Sequence, residues 1–395
     1  TPLFRAAIDR TLEEAFRPLE RLARLSDADA AEIKQARAAI AESAESLRPL
    51  AALFDIAAVS RADEALAAKL PGLVREWKTA APGLWNSAGH KKALTLFGAT
   101  APVHFPLAFP EVFRRTRPGF DVILGNPPWQ EATLEEDDFW SRFDPGFQGL
   151  PQRDRELRAK KFRREHPERV QMFEAEQRQA DAFRALLTKG PYPGMGKGDP
   201  DTYKAFAWRF VHLLREGGRL GVVLPRSALA AAGSGAWRKQ MLDTCAVREI
   251  GLLQNTGGWV FADVHQQYTV GLVCLHKEAP GSEAVIPLHG PYNSLARFEA
   301  GVRREPVRLP LAVLRAASDT LSLPLLPSDE SADAWLQMRK APRLDRDARG
   351  EWRARPYAEF HATNDKPRMK FEQRDGLWPI YKGESFDLWN SDTGT

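Results

Sequence analysis

Phe120-Asp121-Val122-Ile123-Leu124-Gly125-Asn126-Pro127-Pro128-Trp129 is the stretch from which the rest of the chain is read. Its first six residues are short, apolar and β-branched, which predicts a buried strand. Two consecutive prolines then end it. Neither has an N–H to give, both fix φ at about −65°, and each pushes the residue before it toward an extended conformation. A rigid extended tetrapeptide at the carboxyl end of a strand lies where α/β sheets place ligands. Its carbonyls are not used up by a local helix. Asn126 adds a side-chain acceptor beside the free carbonyl of Pro127, and Trp129 adds a flat apolar face. Two acceptors and a stacking plane suit a planar group that bears an exocyclic amino group.

Downstream, Tyr203 to Leu214 has helical period and closes at Gly217-Gly218. Leu220–Pro225 then reads as a second buried strand, followed by a helix around Trp237–Leu242 and by strands at Val247–Leu253 and Tyr268–His276. Helices alternating with apolar strands predict an α/β fold with a largely parallel sheet. The last two strands, joined by a short irregular loop, are placed to form an antiparallel hairpin at its edge. Upstream, His104–Phe113 is apolar and broken by prolines, so it reads as a packed loop or short strand.

Residues 1–80 are rich in Ala, Leu, Arg and Glu. Leu12, Phe16, Leu19, Leu22 and Leu25 recur at helical spacing, as do Ile33, Ala36, Ile40, Ala44 and Leu47. Ser26-Asp27 and Ser60 stand at N-cap positions. Two to four helices in a hairpin or small bundle are expected, either as a spacer insert or as a partner-binding coiled coil. From about 290 the pattern weakens, and an aromatic cluster from Trp352 to Trp389 closes the chain. The expected organisation is a helical insert over 1–100, a sheet-bearing unit over 101–290, and a linker with the beginning of another domain over 291–395.

Composition limits the classes. Of 395 residues, 43% are apolar and 27% charged, as in globular proteins, and 21 Phe with 11 Trp supply a large core. Two cysteines exclude a disulfide scaffold or a multi-cysteine metal site. They fit a reducing compartment, so a cytoplasmic location is expected. No run of 18 apolar residues occurs, which argues against a membrane-spanning helix. His104, His166, His212 and His265 show no metal-ligand spacing. The net charge of +4 and pI of about 9.0 permit a nucleic-acid partner without demanding one.

Asn126-Pro127-Pro128-Trp129 resembles the catalytic motif of amino-group methyltransferases that use S-adenosylmethionine, (Asn/Asp/Ser)-Pro-Pro-(Tyr/Phe/Trp). The resemblance implies that Asn126 and the Pro127 carbonyl accept hydrogen bonds from the target NH2, with Pro128 holding the segment rigid. The nitrogen lone pair is then drawn out of conjugation, and the flipped base stacks on Trp129. Asp201–Phe206, the following helix and Leu220–Pro225 resemble the family's next two motifs, and through them Tyr203 and Phe206 are expected near the cofactor. Val260–Gln266 resembles the motif whose Phe packs on the base's second side. That role passes to Phe261, against the plainer reading of an ordinary core or loop aromatic. Over residues 100–280 the likeness is greatest to N6-adenine DNA methyltransferases of the large restriction–modification and phage-exclusion (BREX-like) methylase group. A partial Rossmann-like catalytic half, double-stranded DNA and defence-system subunits are what it implies for fold and partners. His104–Val112 and Trp378–Gly383 also resemble segments of that group.

The chain departs from that family in one respect. The cofactor fingerprint, a strand followed by Gly-x-Gly, is absent from residues 1–119. Gly233-Ser234-Gly235 follows alanines and a proline rather than a strand, and Gly194-Met195-Gly196-Lys197-Gly198 lacks the spacing of a phosphate-binding loop. The first residue is Thr1, and the end is polar. Together these predict a fragment that lacks its cofactor half and is inactive alone. Arg153–Arg169 holds eight basic and four acidic residues. Arg155, Arg158, Lys160, Lys161, Arg163 and Arg164 are candidates for phosphate contact. The alternative is a solvated mixed-charge helix, paired with Glu135-Glu136-Asp137-Asp138. Two other functions compete: methylation of a protein glutamine amide, and a non-catalytic DNA-binding specificity piece. The 74 residues between Trp129 and Tyr203 favour DNA over the compact glutamine-modifying enzymes.

Overall fold

Strands β1 (Phe120–Gly125), β2 (Leu214–Pro225), β3 (Ala246–Gln254), β4 (Thr269–His276), β5 (Val285–Tyr292) and β6 (Val307–Pro310) form one sheet in the order β1-β2-β4-β3-β5-β6. The computed structural model describes residues 2–22, 29–98, 102–129, 132–195, 200–262, 264–343, 345, 354, 361, 365–370, 376–377 and 380. Trp352, Trp378–Gly383 and Trp389, like Ser26-Asp27 and Gly196–Gly198, hold positions outside that set or only partly within it.

The sheet is mixed rather than largely parallel. β1 pairs β2 and β3 pairs β5 in parallel, whereas β2–β4, β3–β4 and β5–β6 are antiparallel. The expected hairpin of β3 and β4 forms, but in the interior: β4 inserts between β2 and β3. Among its described residues the loop after β3 holds one 3₁₀ turn, Thr256–Gly258, and no crossover helix, so β4 returns antiparallel and still finds β2 on its other side.

β1 is the edge strand, which corrects the expectation of burial. Val122 is 55% exposed and Leu124 79% exposed. An apolar run predicts cover on both faces, but along the described chain β1 has only β2 beside it. Its position is nevertheless fixed. Gly119 enters it at φ +112, where a Cβ would lie 2.5 Å from the Arg215 backbone nitrogen, so only glycine fits. The Asp121 carboxylate then accepts from Arg215 Nε of β2 at 2.5 Å and from Arg115. Those two hydrogen bonds hold its pKa below the usual carboxylate value.

Ahead of β1 come α1 (Pro2–Leu22), α2 (Ala30–Val59), α3 (Glu64–Arg75), α4 (Trp77–Leu84) and α5 (Ala88–Phe97). Leu50, Leu53, Ile56, Val59, Leu66, Trp77 and Leu84 make their core. On α2 the buried stripe begins at Ser43 and its apolar part at Leu47; Ile33, Ile40 and Ala44, expected to be inward, are exposed. Ser60 ends α2 rather than starting a helix. The caps are Asp29, accepting from Ala31 N, and Asp63, accepting from Leu66 N. His104–Phe113 holds two single-turn helices, α6 (Phe105–Ala108) and α7 (Pro110–Phe113). Each carries a proline in its first two positions, where the missing N–H costs nothing.

Between β1 and β2 run α8 (Glu136–Ser141), α9 (Gln152–Glu165), α10 (Pro167–Thr188) and α11 (Thr202–Leu213). Phe139, Trp140 and Phe147 form their own buried aromatic cluster. After β2 follow α12 (Arg226–Ala230) and α13 (Gly235–Thr244). Tyr203, Val211, Leu220, Leu224, Trp237, Met241, Ile250 and Leu288 belong to the core that α11, α13 and the sheet share. Arg238 is buried there and donates to the carbonyls of Ala228, Ala231 and Thr320. Loss of water around it pulls its pKa down to about 10.

The sheet does not stop near 290. β5 and β6 extend it, with α14 (Leu295–Gly301), α15 (Leu311–Ala317) and α16 (Asp329–Met338) around them. One compact unit runs to Lys340 and a second covers Ala341–Thr395. Short strands with polar flanks and interspersed prolines hid these elements from periodicity. No described helix is long and apolar enough to cross a membrane.

Candidate functional site

β1, β2 and β3 all point the same way, since β4 runs against both β2 and β3. Their carboxyl ends therefore share one edge. Asn126–Trp129 leaves β1 there, Arg226 follows β2, and the loop bearing Phe261 follows β3. Residues distant in sequence meet because the sheet aligns its strand ends.

Within the tetrapeptide the roles divide. Pro127 is buried, and Asn126 and Pro128 are exposed. Thr202 at the start of α11 donates its hydroxyl to the Pro128 carbonyl at 2.8 Å. With that carbonyl occupied, the Asn126 amide and the Pro127 carbonyl are the acceptors left without a partner among the described residues. Thr202 is held in turn by the start of its helix, where Lys204 pairs with Asp201 at 2.8 Å, its side chain 5% exposed. Neither Thr202 nor this ion pair was singled out from sequence. The spacing of 74 residues gives no local signal of contact.

Trp129 is half-buried and packs on the core. Its ring meets Phe261 edge to face, with centroids 5.8 Å apart and planes at 89°, a favoured aromatic geometry. The indole Nε1 is buried without a hydrogen-bond partner among the described residues. The structure thus brings Phe261 to Trp129. Gly125, at the end of β1, allows α11 to close on the strand, since a Cβ there would come 3.1 Å from Phe210. Phe206 lies next to Phe210 on the same helix, with centroids 6.0 Å apart, and is 41% exposed. Tyr203 is placed otherwise. Its ring is in the core, its hydroxyl lies 3.1 Å from Ser227 Oγ, and burial pushes its pKa up to about 12.

Three of the six phosphate-contact candidates on α9 are joined to carboxylates of the preceding segment. Arg155 pairs with Asp137 at 2.9 Å, Arg158 with Asp144 at 2.9 Å and Arg163 with Glu136 at 2.6 Å. Arg164 meets Glu165 at 3.7 Å, while Lys160 and Lys161 are exposed. The acidic run therefore answers the basic one within this unit. Arg226 is a cation of another kind. It is half-buried at the carboxyl end of β2, desolvation pulls its pKa down, and it has no ion-pair partner among the described residues. Nothing in the spacing of Pro225-Arg226-Ser227 marks it.

A cavity of about 700 Å³, lined by Arg248, Glu249, His289 and Arg308 among others, lies at the amino ends of β3 and β5, opposite Asn126. Among the described residues no group of His, Cys, Asp and Glu is arranged to hold a metal ion.

No family model matches the sequence, and no curated protein matches it. Among solved structures, a modification subunit assigned to a type I restriction enzyme from Vibrio vulnificus YJ016 is similar at 15% identity and a TM-score of 0.25. That match covers 57% of this chain and 32% of the subunit. A chain from a type I restriction–modification system, studied for its complex assembly and conformational transition, is similar at 14% identity and a TM-score of 0.32. It is matched over 58% of this chain and 44% of its own length. This chain thus spans less than half of each of those proteins, and both scores are too low to assign a fold.

Proposed function

We propose that this chain carries the target-base half of an S-adenosylmethionine-dependent DNA methyltransferase acting on the N6 amino group of adenine, within a restriction–modification or phage-exclusion system. The observation that carries the reading is the pair of unengaged acceptors at the end of β1, the Asn126 amide and the Pro127 carbonyl, beside the Trp129–Phe261 aromatic pair. Two acceptors that take both hydrogens of an NH2 group favour a tetrahedral nitrogen whose lone pair is free to attack. A base in this position rests on Trp129, and Thr202 keeps the Pro128 carbonyl from competing. Arg226 supplies a partly dehydrated cation at the same edge, suited to a phosphate. Lys160, Lys161 and Arg164 are weaker candidates for the same task, and Arg155, Arg158 and Arg163 would have to leave a carboxylate first.

S-adenosylmethionine, when bound, supplies an electrophilic methyl group. The described residues fit the target better than the donor: exposed Phe206 lies beside Phe210, which packs on the end of β1, but no glycine-rich strand-to-helix turn accompanies them among the described residues. The donor pocket is assigned, as part of this proposal, to chain beyond these residues along the β1 edge. Defence-system subunits are the expected protein partners. The two similar structures, both from type I restriction–modification proteins, agree with this reading without carrying it.

A glutamine-amide methyltransferase would use the same acceptors. Nucleoside analysis separates the two. The protein, in the longest form its gene encodes, is incubated with tritiated S-adenosylmethionine and unmethylated duplex DNA. N6-methyladenine is the expected product. Label in N4-methylcytosine would overturn the base assignment, and label in protein alone would overturn the substrate class.

A further inference from the structure

Asn255 is the last residue before the loop that carries Phe261, and its side chain is completely buried. A primary amide has two N–H donors and an oxygen with two lone pairs. Here all four are taken. Oδ1 accepts from Val260 N at 3.1 Å and Phe261 N at 3.0 Å, and Nδ2 donates to Phe261 O at 2.9 Å and Val264 O at 2.8 Å. The Asn255 backbone N–H is anchored separately, to Tyr268 O at 2.9 Å on the β4 side. The loop turns through Gly257 and Gly258 at φ +70 and +75, which glycine adopts without strain. One side chain therefore grips Phe261 by both its N–H and its C=O.

We infer that Asn255 is a positioning residue for the aromatic wall of the site: it clamps the backbone at Phe261 so that a planar base is received by rotation of the ring rather than by movement of the loop. This rests on the methyltransferase reading above. The present edge-to-face contact at 5.8 Å leaves no gap for a base between the rings, so something must move on binding. With both backbone groups of residue 261 held by a buried amide, the Phe261 side-chain torsions are the softest coordinate. No other residue type of similar size supplies two donors and two acceptors. An aspartate in its place would set an anion against the carbonyls of Phe261 and Val264 and leave both without a donor.

The test compares, in the longest form the gene encodes, wild type, Asn255→Asp, Asn255→Ser, Phe261→Ala and the Asn255→Asp/Phe261→Ala double variant. Amide hydrogen exchange, methyl transfer to duplex DNA and thermal stability are measured on each. Asn255→Ser, whose shorter side chain withdraws the Oδ1 acceptor, should raise exchange at Val260 and Phe261 at least about tenfold, whereas Asn255→Asp keeps an acceptor for both N–H groups and frees the loop at the carbonyls of Phe261 and Val264. The kcat/KM of Asn255→Asp should fall about ten- to a hundredfold, comparable to Phe261→Ala. Added to Phe261→Ala, it should cost no further activity while still lowering Tm. Asn255→Ser, which keeps a hydroxyl, should fall between wild type and Asn255→Asp in kcat/KM and decides the matter should the aspartate variant not fold. Two results would overturn the inference while leaving the methyltransferase reading standing. One is a lowered Tm with unchanged kcat/KM; the other is activity losses that multiply in the double variant. If wild type transfers no methyl group while exchange at residues 260 and 261 still depends on Asn255, the reading itself fails and Asn255 is a structural clamp only.

Discussion

Replacing Asn126 by alanine separates chemistry from folding more cleanly than any other change at this site. Its side chain is exposed and hydrogen-bonds to none of the described residues, so its removal breaks no hydrogen bond among them. Stability should stay within about 0.5 kcal/mol of wild type, as for surface positions without a structural role. The rate should behave otherwise. Without the amide oxygen, only the Pro127 carbonyl remains to hold the target NH2, and the nitrogen stays flat and conjugated. By analogy with an oxyanion-hole donor, one such transition-state hydrogen bond is worth about 3–4 kcal/mol, or about 10²–10³ in rate. Asn126→Asp keeps an acceptor in place and should lose less. Single-turnover tritium transfer by the longest form the gene encodes, alongside denaturant melts, reads both quantities. Wild-type turnover in Asn126→Ala, or a parallel collapse in stability, would refute the reasoning.

Trp129→Ala should weaken capture of the base by about 1–3 kcal/mol, read as a raised KM for DNA. Trp129→Tyr, which offers the same face, should stay near wild type; equal loss in both would argue against stacking. Isothermal titration of the 395-residue chain with S-adenosylmethionine should give little or no heat, and micromolar affinity would contradict a donor pocket placed elsewhere. Asp55 accepts from His90 Nε2 at 2.9 Å and lies 2.8 Å from His104 Nε2, joining α5 and the segment before α6 to α2. Asp55→Ala should cost about 3 kcal/mol in urea melts by leaving the buried His90 ring nitrogen unmatched, and a neutral result would count against that role. Burial pushes the Tyr203 phenol up to about 12, above its unfolded value of about 10. Its contribution is then complete below pH of about 10 and is lost as pH climbs toward about 12, because only the unfolded chain can release the proton. Tyr203→Phe should flatten that alkaline fall in stability, and an unchanged pH profile would count against it.

Much of the α/β character was legible because strands and helices differ in apolar period. β3, β4 and α11 fall close to where the alternation of Leu, Val and Ile puts them, whereas β2 starts at Leu214 and takes in Gly217-Gly218, which read as the end of the helix. Pairing was less legible. A short apolar run predicts a strand but not its neighbours, so β1 read as buried and stands at an edge. On α2 the sequence offers several helical stripes of Ala, Ile and Leu, and packing selected the one from Leu47 to Ile56. The charges of α9 show the same limit: composition counts them, but only geometry shows Asp137, Asp144 and Glu136 already engaged.

The sequence by itself determined the rigid acceptor segment. Two prolines restrict φ and remove donors wherever they stand, and Asn126 and Trp129 bring an amide and a ring plane by covalent attachment. The tertiary structure decided which of those groups remain open. Thr202, 74 residues after Pro128, takes that carbonyl and no other in the segment. Phe261 reaches Trp129 only because β4 inserts between β2 and β3, which turns the end of β3 to the same edge as the end of β1. Asn255 becomes the clamp on that ring only when the chain around it closes. Local rules of backbone and side chain shape each group, and long-range pairing assigns its partner.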